Sequence, residues 1–361
     1  MKTYMSVIAF IIISFFLSST SAFVQKERDT SSTTLEAQPG SQEKGGHGSF
    51  LESTIRFDNS SLKKIILHPE SIVAAPEAFW ESDSAYHLYK LWHQFASFPI
   101  DMDRWKKDLQ PFINTPDSER YKNSQLVISQ KMMNKEKVDE FNKRAIPYLY
   151  SFLPKDCPPI NATIYFTTAI MLNGFQMNND LVIYGENSDK ENLFIHELFH
   201  RCQRACGTIA DKNDSPVLDQ TNPLSFILSL FWAEGTATYV GFSALKEFPN
   251  VDPLLQRDYK LLQDTTKINQ LHQSLNELFK EISASAKNTK DQNEIQKRVM
   301  QIGFVDRAFY IVGCYMAATI DKILGRDAFR EILLHGPKYF IQKYNSLVDS
   351  EHMIFNLYNQ N

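Results

Sequence analysis

Residues 196 to 200 read His-Glu-Leu-Phe-His. An α-helix turns about 100° per residue, so His196 and His200 rise from one face with one imidazole above the other. Two neutral imidazoles so placed suit a single zinc ion. Glu197 lies about a quarter-turn round, too far for a third direct ligand but close enough to take a proton from a water on the metal. The flanking Leu193, Phe194, Ile195, Leu198 and Phe199 are apolar almost all round, which marks a buried helix. Burial makes unpaired histidines costly. The bland alternative is a pair of core histidines bonded to backbone carbonyls, with an exposed glutamate between them.

Zinc that does chemistry needs a third protein ligand and an open fourth position. Glu234 is the candidate, 34 residues past His200 (234 minus 200), in Trp232-Ala233-Glu234-Gly235-Thr236-Ala237-Thr238-Tyr239. Pro223 suits a first helical turn and Leu224, Phe226, Ile227, Leu230, Phe231 and Trp232 supply an apolar body, so the pattern predicts a helix from Pro223 to about Lys246. A carboxylate on such a helix is either solvated at its surface or partnered, and zinc is the partner at hand. Such a centre would hold one zinc per chain.

A zinc helix His-Glu-x-x-His followed by a second helix bearing Glu-Gly-x-Ala-x-Tyr resembles the gluzincin clan of metallopeptidases. More narrowly it resembles a poorly characterised family of zinc-dependent peptidases in that clan. Phe309 to Ala317, followed by Leu324 to Phe329, is similar to the Tyr-x-x-Gly helix and Gly-turn of several gluzincins. The resemblance implies His196, His200 and Glu234 as zinc ligands, Glu197 as general base, and Tyr310 as the hydroxyl that steadies the oxyanion, with Tyr315 and Tyr239 as rivals. It also implies hydrolysis of a peptide or protein substrate. Two departures stand out. Thermolysin-like members carry an aspartate four residues after the ligand glutamate to orient the first histidine, and here that position is Thr238, a weaker hydrogen-bonding partner. The exopeptidase signature Gly-Ala-Met-Glu-Asn of the M1 aminopeptidases is missing. Two other functions fit the same ligand set: hydrolysis of a non-peptide amide or ester, and a catalytically silent binding module.

These residues need a frame. Thr163 to Thr168 and Leu181 to Tyr184 are β-branched and aromatic between Pro and Gly punctuation, and read as two strands feeding the zinc helix. Asn173-Gly174 signals a turn, and Phe175 to Asp180 is either a substrate-facing edge or only a hairpin connection. Residues 51–156 and 251–361 carry apolar residues three and four apart, punctuated by prolines, and read as helical. The expected fold is therefore α+β and predominantly helical. A zincin-like (gluzincin) core with a small sheet spans 157–250, between a helical N-terminal region and a C-terminal region that completes the cleft.

The chain opens with Lys2 and an apolar run from Met5 to Leu17, then small residues to Ala22. The run is short for a bilayer span and reads as a cleaved signal peptide, residues 1–22, with a secreted or periplasmic destination and no stable membrane span afterwards. Residues 23–50, rich in Ser, Thr, Gln and Gly, read as a flexible linker in which His47 is solvated. With 361 residues, 43% hydrophobic and a net charge of −4, the chain can bury a substantial core. Its charge speaks against nucleic acid. Cys157, Cys202, Cys206 and Cys314 allow three pairings. Cys202 and Cys206 share a helical face and are poorly placed to bond each other, so a bridge from either to Cys157 or Cys314 is the better geometry; plain buried thiols are equally compatible.

Overall fold

The computed structural model describes residues 52–95, 100–126, 135–168, 174–206, 223–285, 294–295 and 297–354. The residues read as signal peptide and linker, and Asn173 of the expected turn, lie outside them. In chain order the elements are β1 (Thr54–Asp58), α1 (Ser60–Leu67), α2 (Pro69–Ala74), α3 (Pro76–Ser82), α4 (Ser84–Phe95), α5 (Met102–Ile113), α6 (Asp117–Leu126) and α7 (Lys135–Tyr150). Then come β2 (Asn161–Thr167), β3 (Gly174–Met177), β4 (Asp180–Tyr184), α8 (Glu191–Cys206), α9 (Pro223–Ser243), α10 (Pro253–Leu261) and α11 (Thr265–Ser285). A π-helical turn, Met300–Val305, leads to α12 (Ala308–Leu324) and α13 (Arg326–Asn345), the last kinked at Gly336. The protein is α+β and predominantly helical, with one small sheet.

The four strands lie in the order β1-β2-β4-β3. β1 and β2 pair in parallel, as do β2 and β4, while β3 folds back antiparallel on β4. Asn178, at φ 55°, makes the tight turn between β3 and β4, a conformation that asparagine tolerates better than most side chains. β3 is therefore an edge strand as well as a hairpin arm. The sequence pattern for 51–156 was helical, and β1 departs from it. Thr-Ile-Arg-Phe-Asp is too short for periodicity to register, and its strand state comes from pairing with β2, 107 residues away at Thr54 and Asn161.

Side chains alternate across the sheet. Ala162, Ile164, Phe166, Leu181 and Ile183 face the main core, against α8 and the C-terminal helices. Phe175 and Val182 face the other way, into an aromatic cluster with Trp80, Tyr86, Tyr89 and Trp105. The two cores are thus separated by a sheet one residue thick. Full burial of Phe194, Phe199 and Leu198 on α8 stabilises its seat by roughly 1.5–3 kcal/mol each.

Helix α8 is pinned at both ends. At its start Arg144 forks onto Glu191 at 2.9 and 3.0 Å, and the Asn192 amide donates to the carbonyls of Gly241 and Phe248. At its end a disulfide joins Cys206 to Cys157, just before β2. That bridge is one of those the spacing allowed. Cys202 and Cys314 are free and buried, and burial pushes the Cys202 thiol up to about 12. Among the described residues no helix is long and apolar enough to cross a membrane.

Candidate metal centre and active site

His196 and His200 project from one face of α8, as their spacing requires. Glu234 reaches them from α9. The three donor atoms form a nearly equilateral triangle: His196 Nε2 to His200 Nε2 is 3.2 Å, His200 Nε2 to Glu234 Oε2 is 3.4 Å, and His196 Nε2 to Glu234 Oε2 is 3.5 Å. For a tetrahedral ion with ligands at about 2.1 Å, the ligand-to-ligand edges come to about 3.4 Å. The three residues can therefore hold one zinc-sized ion with little movement, and they are the only His, Cys, Asp and Glu group so disposed among the described residues.

The close approach of α9 to the site depends on a pair of glycines. A Cβ on Gly235 would lie 2.4 Å from the Gly313 Cα, and a Cβ on Gly313 would lie 2.6 Å from the Gly235 Cα. Helices α9 and α12 thus cross backbone against backbone, one residue from Glu234 and three from Tyr310. This contact explains both halves of the Glu-Gly and Tyr-x-x-Gly pattern. Of the three candidate tyrosines, Tyr310 is the one that lies beside a histidine of the triangle. The Tyr310 ring stacks over His196 with centroids 6.5 Å apart and planes 17° apart. Tyr239 instead donates its hydroxyl to Asp321 and packs on Phe152 and Phe329, and Tyr315 sits at the margin of the core.

Glu197 is buried and points toward β3, where a Cβ on Gly174 would come within 3.8 Å of its Cγ. Burial raises its pKa, and the neighbouring imidazoles only partly offset that. Glu234 behaves differently. Burial opposes its ionisation too, but His200 and His196 outweigh burial and hold the carboxyl well below its usual range. His200 shows the complement: burial lowers its basicity, Glu234 raises it more, and the net shift is upward. The triangle is a place where positive charge is favoured. Burial, and then Glu234, push the Tyr310 hydroxyl well up, so it stays protonated and can donate.

The two imidazoles are held by different means. His200 Nδ1 lies 2.9 Å from Gln203 Oε1, while the same amide donates through Nε2 to the Ala233 carbonyl and to Thr236 Oγ1. Thr236 Oγ1 donates onward to the Trp232 carbonyl. With the amide nitrogen committed to two acceptors, its oxygen faces Nδ1, so Nδ1 carries the proton and Nε2 is left as a donor to metal. Nothing in the motif pattern pointed to Gln203. A glutamine three residues past the second histidine is an ordinary helix residue until α9 is laid beside it.

His196 lacks such an arrangement. Its Nδ1 is buried without a hydrogen-bond partner among the described residues, and so is Thr238 Oγ1. The bond expected between them is not formed. Sequence patterns also passed over Arg307, which begins α12 with a left-handed backbone, φ 66°, a conformation that costs of order 1 kcal/mol in a non-glycine residue. Its buried guanidinium binds Asp258 at 2.6 and 2.9 Å and lies over the Tyr310 ring, 3.1 Å from the centroid. Asp258 and Arg307 together seat the tyrosine.

The class this defines is an α+β protein with a His, His, Glu cluster that could hold a metal ion, set beside a buried carboxylate and a small mixed sheet. Residues 49–352 match the model of the family described as "Putative zinc dependent peptidase (DUF5700)", and the chain belongs to that family. No curated protein and no solved structure matches the chain.

Proposed function

We propose that the protein is a gluzincin-like zinc peptidase that acts outside the cytoplasm, in the periplasm or after secretion, on peptide or protein substrates. His196, His200 and Glu234 would hold one zinc, Glu197 would be the general base, and Tyr310 the oxyanion donor. The observation that carries this reading is the triangle of donor atoms with edges of 3.2, 3.4 and 3.5 Å. The family description supports the zinc and the peptidase. The apolar run from Met5 to Leu17 supports the destination.

Zinc bound there would act as a Lewis acid and bring the pKa of a coordinated water toward roughly 7. The chain's own residues supply the rest. Glu197, close to the triangle and poorly solvated, takes the proton of the attacking water and delivers it to the leaving amine. The Tyr310 hydroxyl, kept protonated, donates to the oxygen on which negative charge develops. Strand β3 offers a backbone edge for an extended substrate. Its two-residue turn makes Met177 and Asp180 the closing hydrogen-bonded pair, so Phe175 also bonds to β4 while Gly174 and Gln176 direct their backbone groups outward.

Metal analysis of the purified chain tests the first half: about one zinc per chain, lost on His196→Ala, is expected. Incubation with a denatured protein mixture tests the second. The zinc-loaded chain should cleave it and Glu197→Ala should not. Equal cleavage by both would remove the role given to Glu197, and cleavage of small amides or esters alone would move the substrate class away from peptides.

A further inference from the structure

Arg204 is on α8 seven residues past Glu197, a rotation within about 20° of the same face and about 10 Å further along the axis. It is half-buried, and burial lowers its pKa, which Glu197 opposes from a distance. Among the described residues no carboxylate comes within 4 Å of it, whereas most other arginines of the chain pair with one. Among the described residues it makes one hydrogen bond, Nη2 to the Gln176 carbonyl at 3.3 Å. A guanidinium carries five donors. Four are left over.

The place of that one contact matters. The Gln176 carbonyl points away from β4, as the hairpin register requires, so the guanidinium stands at the open edge of β3. Gly174 of the same strand faces Glu197, and Gln176 faces Arg204. Strand and helix therefore run side by side, with the base beside one end of the edge and a cation beside the other. A peptide laid along that edge advances about 3.3 Å per residue, and within three residues of the bond poised over Glu197 it passes the guanidinium. A poorly solvated cation with spare planar donors is matched by a carboxylate, which can take two of them at once.

We propose that Arg204 is a specificity-determining residue of the substrate cleft, binding a carboxylate of the peptide that lies within three residues of the scissile bond. The carboxylate belongs to an acidic side chain or to the peptide's C-terminus. The assignment rests on the peptidase reading above, in that it takes β3 as the substrate edge. As an ordinary structural residue, Arg204 would only neutralise the C-terminal end of α8 and hold β3 in place.

The test uses the zinc-loaded chain and paired peptides that differ only by Glu against Gln at each of the three positions on either side of the cleaved bond. Each is made with a free and with an amidated C-terminus. Expected is one position, or the free terminus, at which the carboxylate raises kcat/KM by about tenfold or more, mostly through KM. Arg204→Gln, which keeps a donor for the Gln176 carbonyl, should abolish that preference, and Arg204→Lys should restore part of it. The Glu/Gln arm and the terminus arm separate the two sources of the carboxylate. No preference in the parent chain, or a preference that persists in Arg204→Gln, overturns the assignment. The same peptides are titrated against zinc-loaded Glu197→Gln by calorimetry, so that failure of catalysis is told apart from failure of the subsite. Acidic peptides bound about tenfold tighter than their amides, through Arg204, would uphold the subsite even with no turnover. Equal binding, or none, would remove it.

Discussion

The two faces of the sheet are built to different ends. On one, Phe175 and Val182 meet Trp80, Tyr86, Tyr89 and Trp105, rings packed edge to face at 5 to 6 Å, and the buried Asp83 is held locally by Ser61 and Lys64. On the other, two imidazoles, two carboxylates, a tyrosine and a buried arginine are gathered within a few residues of a helix crossing that only glycines permit. The first face is a folding device in which apolar area is the main term. The second carries groups that oppose their own burial, and so depends on backbone fit and on a partner, which for the triangle would be the proposed cation. One strand serves both: Phe175 packs below while its neighbours Gly174 and Gln176 look toward Glu197 and Arg204.

If that division is right, activity and stability should separate by face. The largest effect belongs to Glu197→Ala. Peptide hydrolysis should fall by about 10³-fold or more, with zinc content kept and the melting temperature unchanged or raised, because a buried carboxylate is removed. A variant that also loses its zinc would make Glu197 part of the metal site and blur the comparison. On the opposite face, Trp80→Ala should cost about 3–5 kcal/mol by denaturant unfolding, since Trp80 is 3% exposed and touches both Tyr86 and Trp105. Molecules that remain folded should bind zinc as before. Weakened zinc binding in them would show that the sheet transmits strain between its faces.

Between these lies Gly235→Ala. A methyl group 2.4 Å from the Gly313 Cα cannot be absorbed by a side-chain rotation, so α9 and α12 must part. We expect about 1–3 kcal/mol of destabilisation, as for an overpacked core, together with lost zinc affinity as Glu234 and Tyr310 move with their helices. A loss of stability with zinc affinity intact would mean that the crossing serves packing alone. This glycine pair also shows what the sequence made legible. Glu-Gly and Tyr-x-x-Gly were recognisable as a pattern, and the helices carrying them were predicted, Pro223–Ser243 ending a turn earlier than expected. Their reason is a contact between residues 78 positions apart (313 minus 235), which no local window contains. The same holds for β1, whose five residues become a strand only through β2, and for the choice of Cys157 as the partner of Cys206. Spacing on one helix could be read in advance; the neighbours that helix acquires could not.

The smallest effect divides the second face within itself, between its two imidazoles. His200 is oriented by Gln203, whose amide is anchored on α9, whereas His196 Nδ1 and Thr238 Oγ1 are both buried without a partner among the described residues. Gln203→Ala should therefore weaken zinc binding by about 10–100-fold, measured by competition with a chelator, because His200 loses both its tautomer and its ring angle. Thr238→Val removes a hydroxyl with no partner among the described residues and keeps the shape, so zinc affinity should stay within about twofold and stability should hold or rise. If Thr238→Val weakens zinc as much as Gln203→Ala does, the hydroxyl turns to His196 once metal is bound, and the two imidazoles are held alike. If neither substitution matters, the metal orients its own ligands, and the relay from Gln203 to Trp232 serves only to join α8 to α9.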